Sequence, residues 1–215
     1  MSSHTKANKP HMHLIPTNDE VIAMMRETGA LRDGHFEYSN GVHADEYLEV
    51  ALAFRYYQYA KILSVGLSRR LRADSEIRAM IKDLSFVAPR TGGLPVAYGI
   101  CEALRANQVY WTEDETDSAP MRFKQFVEPA PGEKVLLVDD VLRSGRRLTK
   151  LRKLMESKGA EVVGIAVAVY QPNPSILDFG NLPVFYLAQL DALYYKDASS
   201  CELCNRGVPV EKISD

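Results

Sequence analysis

Residues 135–149, VLLVDDVLRSGRRLT, constrain the fold of this chain more than any other segment. Val135 to Val138 form an unbroken apolar run, which suits a strand covered on both faces. The run ends in two adjacent carboxylates, Asp139 and Asp140, and the chain then turns through Ser144 and Gly145 into a helical pattern. In an open parallel sheet, ligands bind beyond the carboxyl ends of the strands, so the acids stand where chemistry is done. Small residues and a glycine at a helix start let backbone N–H groups point at an anion, with the positive end of the helix dipole behind them. A phosphorylated sugar satisfies both halves, offering hydroxyls to the aspartates and phosphate to the turn. A buried strand running into a polar turn is also ordinary in α/β proteins, so the motif alone leaves that plainer reading open.

Length and composition narrow the classes. A chain of 215 residues has enough interior for one sheet covered on both faces. Its 46% hydrophobic and 25% charged residues are those of a globular protein, and no apolar stretch approaches the ~18 residues of a membrane span. A net charge of −2 gives no electrostatic footprint for nucleic acid. Basic residues cluster only locally, at Arg143, Arg146, Arg147, Lys150, Arg152 and Lys153. Residues 1–16 open with a polar stretch that lacks the apolar core of a secretory signal, so a disordered leader and a cytoplasmic location are expected. Cys201 and Cys204 form a lone CxxC. A closed tetrahedral metal site needs four ligands, so packed or solvent-facing thiols are the expectation, with a metal shared across a dimer or a redox pair as alternatives.

Along the chain, Thr17 or Asn18 followed by DEVIAMMRETGA reads as a capped helix stopping near Gly29. Residues 31–50 alternate turn residues with short apolar pieces and predict two short strands, and residues 54–71 carry helical spacing. LSFVAP at 84–89 predicts a buried strand, followed by a helix through PVAYGICEALRA. VYWT at 109–112 is a candidate strand, the acidic segment 113–120 has turn composition, and FKQFVE at 123–128 is expected to be a strand. A helix from Gly145 to Gly159, an unbroken strand EVVGIAVAVY and a last strand at 184–190 complete the pattern. Alternating strands and helices imply right-handed crossovers and a mainly parallel, doubly wound α/β sheet. Residues 17–215 are read as a single domain, with a cap at 17–53, a core at 54–200 and a tail at 201–215. His35 and His43 read as turn histidines, and Tyr56, Tyr57 and Tyr59 as helix packing or a dimer contact. Trp111 reads as a cover for the sheet edge.

The segment PGEKVLLVDDVLRSG resembles the phosphoribosyl-pyrophosphate (PRPP) motif of type I phosphoribosyltransferases. Ordered similarity continues over residues 28–210. TGALRDGHFEYSNGVHADEYLEV looks like the N-terminal part of orotate phosphoribosyltransferases, VAPRTGG like their pyrophosphate loop, and CELCNRGVPV like a C-terminal element of the Thermus-like branch. The resemblance implies a homodimer in which, with Mg²⁺, a base nitrogen displaces pyrophosphate from C1 of PRPP in pyrimidine nucleotide biosynthesis. It assigns PRPP to Asp139, Asp140, Val141, Leu142, Arg143, Ser144, Gly145, Arg146 and Arg147, with pyrophosphate held by Arg90, Thr91, Gly92 and Gly93. Asp139 and Asp140 serve catalysis and also the metal, through ribose hydroxyls or water.

The chain departs from the family where the acceptor and the leaving group are recognised. The usual threonine-rich turn is Arg143-Ser144-Gly145-Arg146-Arg147 here, and an arginine that normally binds orotate aligns with Gln171. Glutamine lacks a guanidinium's charge and fork. Arg143 and Gln171 are therefore the expected base-binding residues. The catalytic-loop cation aligns with acidic Glu113-Asp114-Glu115, leaving Lys124, with Arg122 nearby, as the candidate replacement. Orotate is the expected acceptor, against another base or a PRPP-binding protein without turnover.

Overall fold

The computed structural model describes residues 14–113 and 120–213; most of the expected leader and the acidic residues 114–119 lie outside them. Helix α1 (Asn18–Glu27) starts as expected: the Thr17 hydroxyl accepts from the Glu20 N–H at 3.2 Å, and the Glu20 carboxylate accepts from the Thr17 N–H at 2.8 Å. This reciprocal box satisfies two N–H groups that a helix start otherwise leaves without partners. Just before it, Pro16 is buried, its ring lying where a Cβ on Gly66 would fall, so close packing begins inside the expected leader.

The two expected short strands are β1 (Leu31–Glu37) and β2 (His43–Leu48), which pair antiparallel. The long helix is α3 (Tyr57–Ala73), preceded by a one-turn helix, α2 (Ala51–Phe54), because Tyr56 between them is extended and interrupts the helical backbone. Asp74 then caps α4 (Ser75–Met80), a short helix with no periodic signal of its own. The alternation continues through β3 (Ser85–Pro89), α5 (Gly93–Leu104), β4 (Gln108–Thr112), β5 (Lys134–Leu142), α6 (Arg146–Ser157), β6 (Glu161–Tyr170) and β7 (Val184–Gln189).

One expected strand is absent. FKQFVE forms a turn, with the Val127 N–H donating to the Lys124 carbonyl and Phe126 at φ 71° and 92% exposed. A positive φ is incompatible with an extended strand, and exposure of the second phenylalanine removes the burial that would hold one.

Five strands form a parallel sheet in the order β4-β3-β5-β6-β7. Residues of α1, α3 and α5 pack on one face with Leu136 and Val138; Leu148, Leu151 and Met155 of α6 pack on the other with Val135 and Leu137. The doubly wound α/β class is as expected. From β3 the chain winds outward to β4, then returns to the other side of β3 for β5, so the winding reverses between β3 and β5. Such a switch point opens a crevice at the carboxyl ends of the two strands. The loop 90–93 follows β3 and the turn 143–145 follows β5, which places both on that crevice.

A second sheet, β8-β2-β1-β9, covers it. Its outer strands come from the end of the expected core and from the tail: β8 (Tyr194–Tyr195) pairs antiparallel with β2, and β9 (Glu211–Lys212) pairs parallel with β1, with the one-turn helix α7 (Glu202–Asn205) between them. The cap is thus built from both ends of the chain. Thr17→Ala removes the box at α1 and should destabilise the protein by about 1 kcal/mol, a fall in Tm of roughly 2–4 °C by calorimetry.

Candidate active site

A cleft of about 1080 Å³ opens at the switch point. Its floor is the end of β5: Asp139 and Asp140 line it although each is buried, at 4% and 8% exposure. The strand does not stop at Val138 but carries both acids within its ladder, with Asp139 opposite Val167 and Leu142 opposite Tyr170 on β6. The Asp139 carboxylate accepts from the Asp140 N–H at 3.0 Å, and that of Asp140 from the Val141 N–H at 2.8 Å. Burial pushes the Asp139 carboxyl well above the usual range, the neighbouring Asp140 adds to this, and Arg147 opposes it. A cation or a set of hydroxyl donors entering the cleft relieves the same strain.

A Cβ on Gly92 would lie 2.6 Å from Asp140 Oδ2, so only glycine lets the β3 loop approach the acid. The Arg90–Thr91 peptide in this loop is cis. On the other side, Gly145 at φ 76° starts α6, and a Cβ there would meet the Phe179 ring at 2.9 Å. Ser144 Oγ accepts from the Arg146 N–H at 3.4 Å, and the Ser144 carbonyl accepts from the Leu177 N–H. The turn is thereby pinned with the first N–H groups of α6 at the cleft, where they suit an anion. Thr91, Gly92 and every residue from Asp139 to Arg147 line the cleft.

Arg143 departs from the rest of the turn. Its side chain reaches up to the cap: Nη2 donates to the Leu48 carbonyl at 2.8 Å, Nε donates to Gln171 Oε1 at 2.9 Å, and the guanidinium lies over the Tyr38 ring at 5.7 Å. Because arginine only donates, Gln171 must present its carbonyl oxygen here, which aims its amide nitrogen elsewhere. That nitrogen is buried without a partner, and so are the hydroxyls of Tyr38 and Tyr194. Burial raises the pKa of both tyrosines, so they remain protonated donors. Three donor groups, those of Arg143, Tyr38 and Tyr194, are thus gathered at the cap end of the cleft, and orphaned buried donors call for a ligand acceptor. Gln171 itself is fully buried behind Arg143 rather than on the wall.

Gly93 is buried beneath the β3 loop, its place for a Cβ taken by the Val138 carbonyl. Arg90 and Lys124 do not face the cleft. Both pair with one carboxylate oxygen of Glu113, at 3.2 and 3.1 Å. Sequence reasoning did not single out Tyr38, Tyr194 or Lys196, all on the cleft wall. Tyr38 follows the Gly-His-Phe of the cap motif, a usable signal; Tyr194 and Lys196 stand in a tail without periodicity.

A doubly wound sheet with an acid pair and an anion-binding turn at its switch point defines a transferase acting on a phosphorylated sugar. The phosphoribosyl transferase domain model matches residues 66–178. The orotate phosphoribosyltransferase of Carboxydothermus hydrogenoformans is 31% identical over 90% of this chain and 95% of its own, and that of Thermotoga maritima is 30% identical over 89% and 96%. The chain belongs to the orotate phosphoribosyltransferase family. The fold is shared with the crystal structure of orotate phosphoribosyltransferase from Aeropyrum pernix (TM-score 0.60, 18% identity, 79% of this chain and 93% of that one). It is shared also with the Mycobacterium tuberculosis H37Rv enzyme (TM-score 0.57, 22% identity, 80% and 95%).

The raised pKa of Asp139 means that the folded state holds its proton more tightly than the unfolded chain does. Stability therefore falls as pH climbs from the ordinary carboxylate range to the raised value, and the penalty persists above it. Asp139→Asn should flatten this slope and raise Tm at neutral pH, while lowering transfer activity by about 10²-fold or more. Thermal melts from pH 4 to 8 beside activity assays check both halves.

Proposed function

We propose that this protein transfers ribose 5-phosphate from PRPP to orotate, releasing pyrophosphate, in pyrimidine nucleotide biosynthesis. The observation that carries the choice of acceptor is the donor cluster of Arg143, Tyr38 and Tyr194 on the cleft wall, with Gln171 orienting the Arg143 fork from behind. Its positive charge and its N–H and O–H groups suit a base bearing a carboxylate and carbonyl oxygens. The charge missing at Gln171 is supplied by Arg143, one hydrogen bond away.

PRPP lies with its 5′-phosphate on the turn Arg143–Arg147 and its ribose over Asp139 and Asp140. As the bond from C1 to pyrophosphate lengthens, positive charge grows on the ribose, as in other glycosyl transfers, and the two carboxylates offset it. Gly92 and Thr91 bring backbone close to the departing pyrophosphate. The all-oxygen donor set of the acid pair, with the uncompensated charge that raises Asp139, fits a hard divalent cation. Mg²⁺ held there through ribose hydroxyls or water supplies charge neutralisation for pyrophosphate. We further assign Arg90 and Lys124 to the leaving group: Glu113 holds both beside the cleft, and the anion competes for them. Asp114 and Glu115 lie outside the described residues. A cytoplasmic homodimer completes the proposal; no described helix is long and apolar enough to cross a membrane, and the exposed Tyr56 and Tyr57 at the start of α3 offer a contact face.

Incubation with PRPP, Mg²⁺ and orotate should release pyrophosphate and form the nucleotide, followed by the loss of orotate absorbance. Turnover with adenine, hypoxanthine or uracil in place of orotate overturns the acceptor, and binding of PRPP by calorimetry without turnover of any base overturns the catalytic reading. Arg143→Ala should raise KM for orotate about 10–100-fold, the worth of one or two charged hydrogen bonds, with little change in KM for PRPP. Arg143→Lys should not restore it, because the fork that spans Gln171 and Leu48 is lost. Lys124→Ala should lower kcat about 10-fold or more while leaving KM for orotate in place.

A further inference from the structure

The lone CxxC of the tail is not alone in space. His35 and His43, eight residues apart on the cap hairpin, lie against Cys201 and Cys204, and one ligand atom from each falls within 4.8 Å of all the others. His35 Nε2 is 2.8 Å from His43 Nδ1, 3.4 Å from Cys201 Sγ and 3.5 Å from Cys204 Sγ; Cys204 Sγ is 3.6 Å from His43 Nδ1. With metal–nitrogen bonds of ~2.05 Å and metal–sulfur bonds of ~2.3 Å, a tetrahedral zinc ion holds its nitrogens ~3.4 Å and its nitrogen–sulfur pairs ~3.6 Å apart. The observed spacings match the nitrogen–sulfur edges, and a small opening of the two imidazoles matches the other.

Local structure explains the convergence. His43 stands opposite Glu37 in the hairpin register, and His35 lies two residues before Glu37 inside the register shift between Asp33 and Phe36, its ring 2.8 Å from that of His43. Cys201 stands at the N-cap of α7 and Cys204 lies within its single turn, and residues three apart on a helical turn share a side. His35 Nδ1 lies 2.8 Å from the Val208 carbonyl and must donate to it, which leaves the Nε2 lone pair facing the sulfurs. Such an outer hydrogen bond orients histidines that ligate metals. Both histidines and Cys201 are buried, and all three cysteines are free of disulfides. Two thiolates and two neutral imidazoles form a closed set that balances the charge of one divalent cation.

We propose that His35, His43, Cys201 and Cys204 bind one zinc ion within a single chain, and that this ion clamps the tail onto the cap. The donor set is soft and tetrahedral, which selects zinc over the hard cation suited to the acid pair. Its place in the cap gives the clamp a structural use. His43 pairs in register with Tyr195 on β8, and Tyr194, Tyr195 and Lys196 form part of the cleft wall.

The test does not depend on transfer activity. Protein purified under reducing conditions without chelator should contain about one zinc per chain by elemental analysis. Exchange into cobalt should give the intense visible bands of a tetrahedral site with thiolate-to-cobalt charge transfer in the near ultraviolet. Cys204→Ser and His43→Asn should each lose the metal or the charge-transfer band, whereas Cys101→Ser should keep both. Chelation of the wild type should lower Tm by roughly 5 °C or more. Because variants in a cap site can misfold, the wild-type protein decides the matter. Absence of stoichiometric zinc together with failure of cobalt to develop a thiolate spectrum overturns the proposal, as does an unchanged spectrum in a folded Cys201→Ser/Cys204→Ser double variant.

Discussion

Two carboxylates buried side by side at the end of the central strand are the constraint around which this molecule is arranged. A buried carboxylate is unfavourable unless it is paired or hydrogen-bonded, and here the backbone N–H groups of Asp140 and Val141 supply only part of what the pair needs. The sheet could have been closed over apolar residues at this point, as it is everywhere below Val138. Instead β5 extends its ladder through the acids, and the glycine at 92 lets the β3 loop close against Asp140. The charge that Arg147 and the backbone leave only partly offset is a store of binding free energy for any ligand that brings hydroxyl donors or positive charge to the cleft.

Charge in the rest of the cleft is distributed by the same logic. A guanidinium stands at the end of β5, on Arg143, and donates to Gln171 at the end of β6. Strands β5 and β6 are neighbours with Leu142 and Tyr170 in register, which brings the two side chains together. Gln171 is the acceptor that orients the fork, a role that an arginine at that position could not fill. Glu113 performs the corresponding service at the other end, gathering Arg90 and Lys124 on one oxygen beside the cleft.

The parts legible in the sequence are those whose signal is periodic and local. Strands β3, β5 and β6 and helix α5 follow from short apolar runs and helical spacing, and the capping box at Thr17 marks the start of α1. The strand expected at 123–128 failed because two phenylalanines were read as alternation, whereas only Phe123 packs, against Tyr110, and Phe126 takes a left-handed turn. Strands β8 and β9, two residues each, carry no period at all; they exist because β1 and β2 present unpaired edges. The four clustered ligands were illegible for a related reason. Cys201 lies 166 residues from His35, and only the fold of the cap, which borrows strands from both chain ends, makes them neighbours.

That borrowing raises a question of stability which the clustered histidines and cysteines answer. A two-residue strand contributes few ladder hydrogen bonds, and α7 is a single turn that buries no side chain within its own span. The ion pair of Arg32 with Glu211 that accompanies β9 is exposed on both sides and adds little. Held by these contacts alone, the tail would open readily, and with it the wall carrying Tyr194, whose hydroxyl helps to complete the donor set around Arg143. A cross-link at His35, His43, Cys201 and Cys204 falls between β8 and β9 in sequence and against both inner strands in space, the position from which one tie restrains both outer strands at once. The precision required of the acceptor site is then supplied from outside the cleft, by chemistry that never meets the substrate.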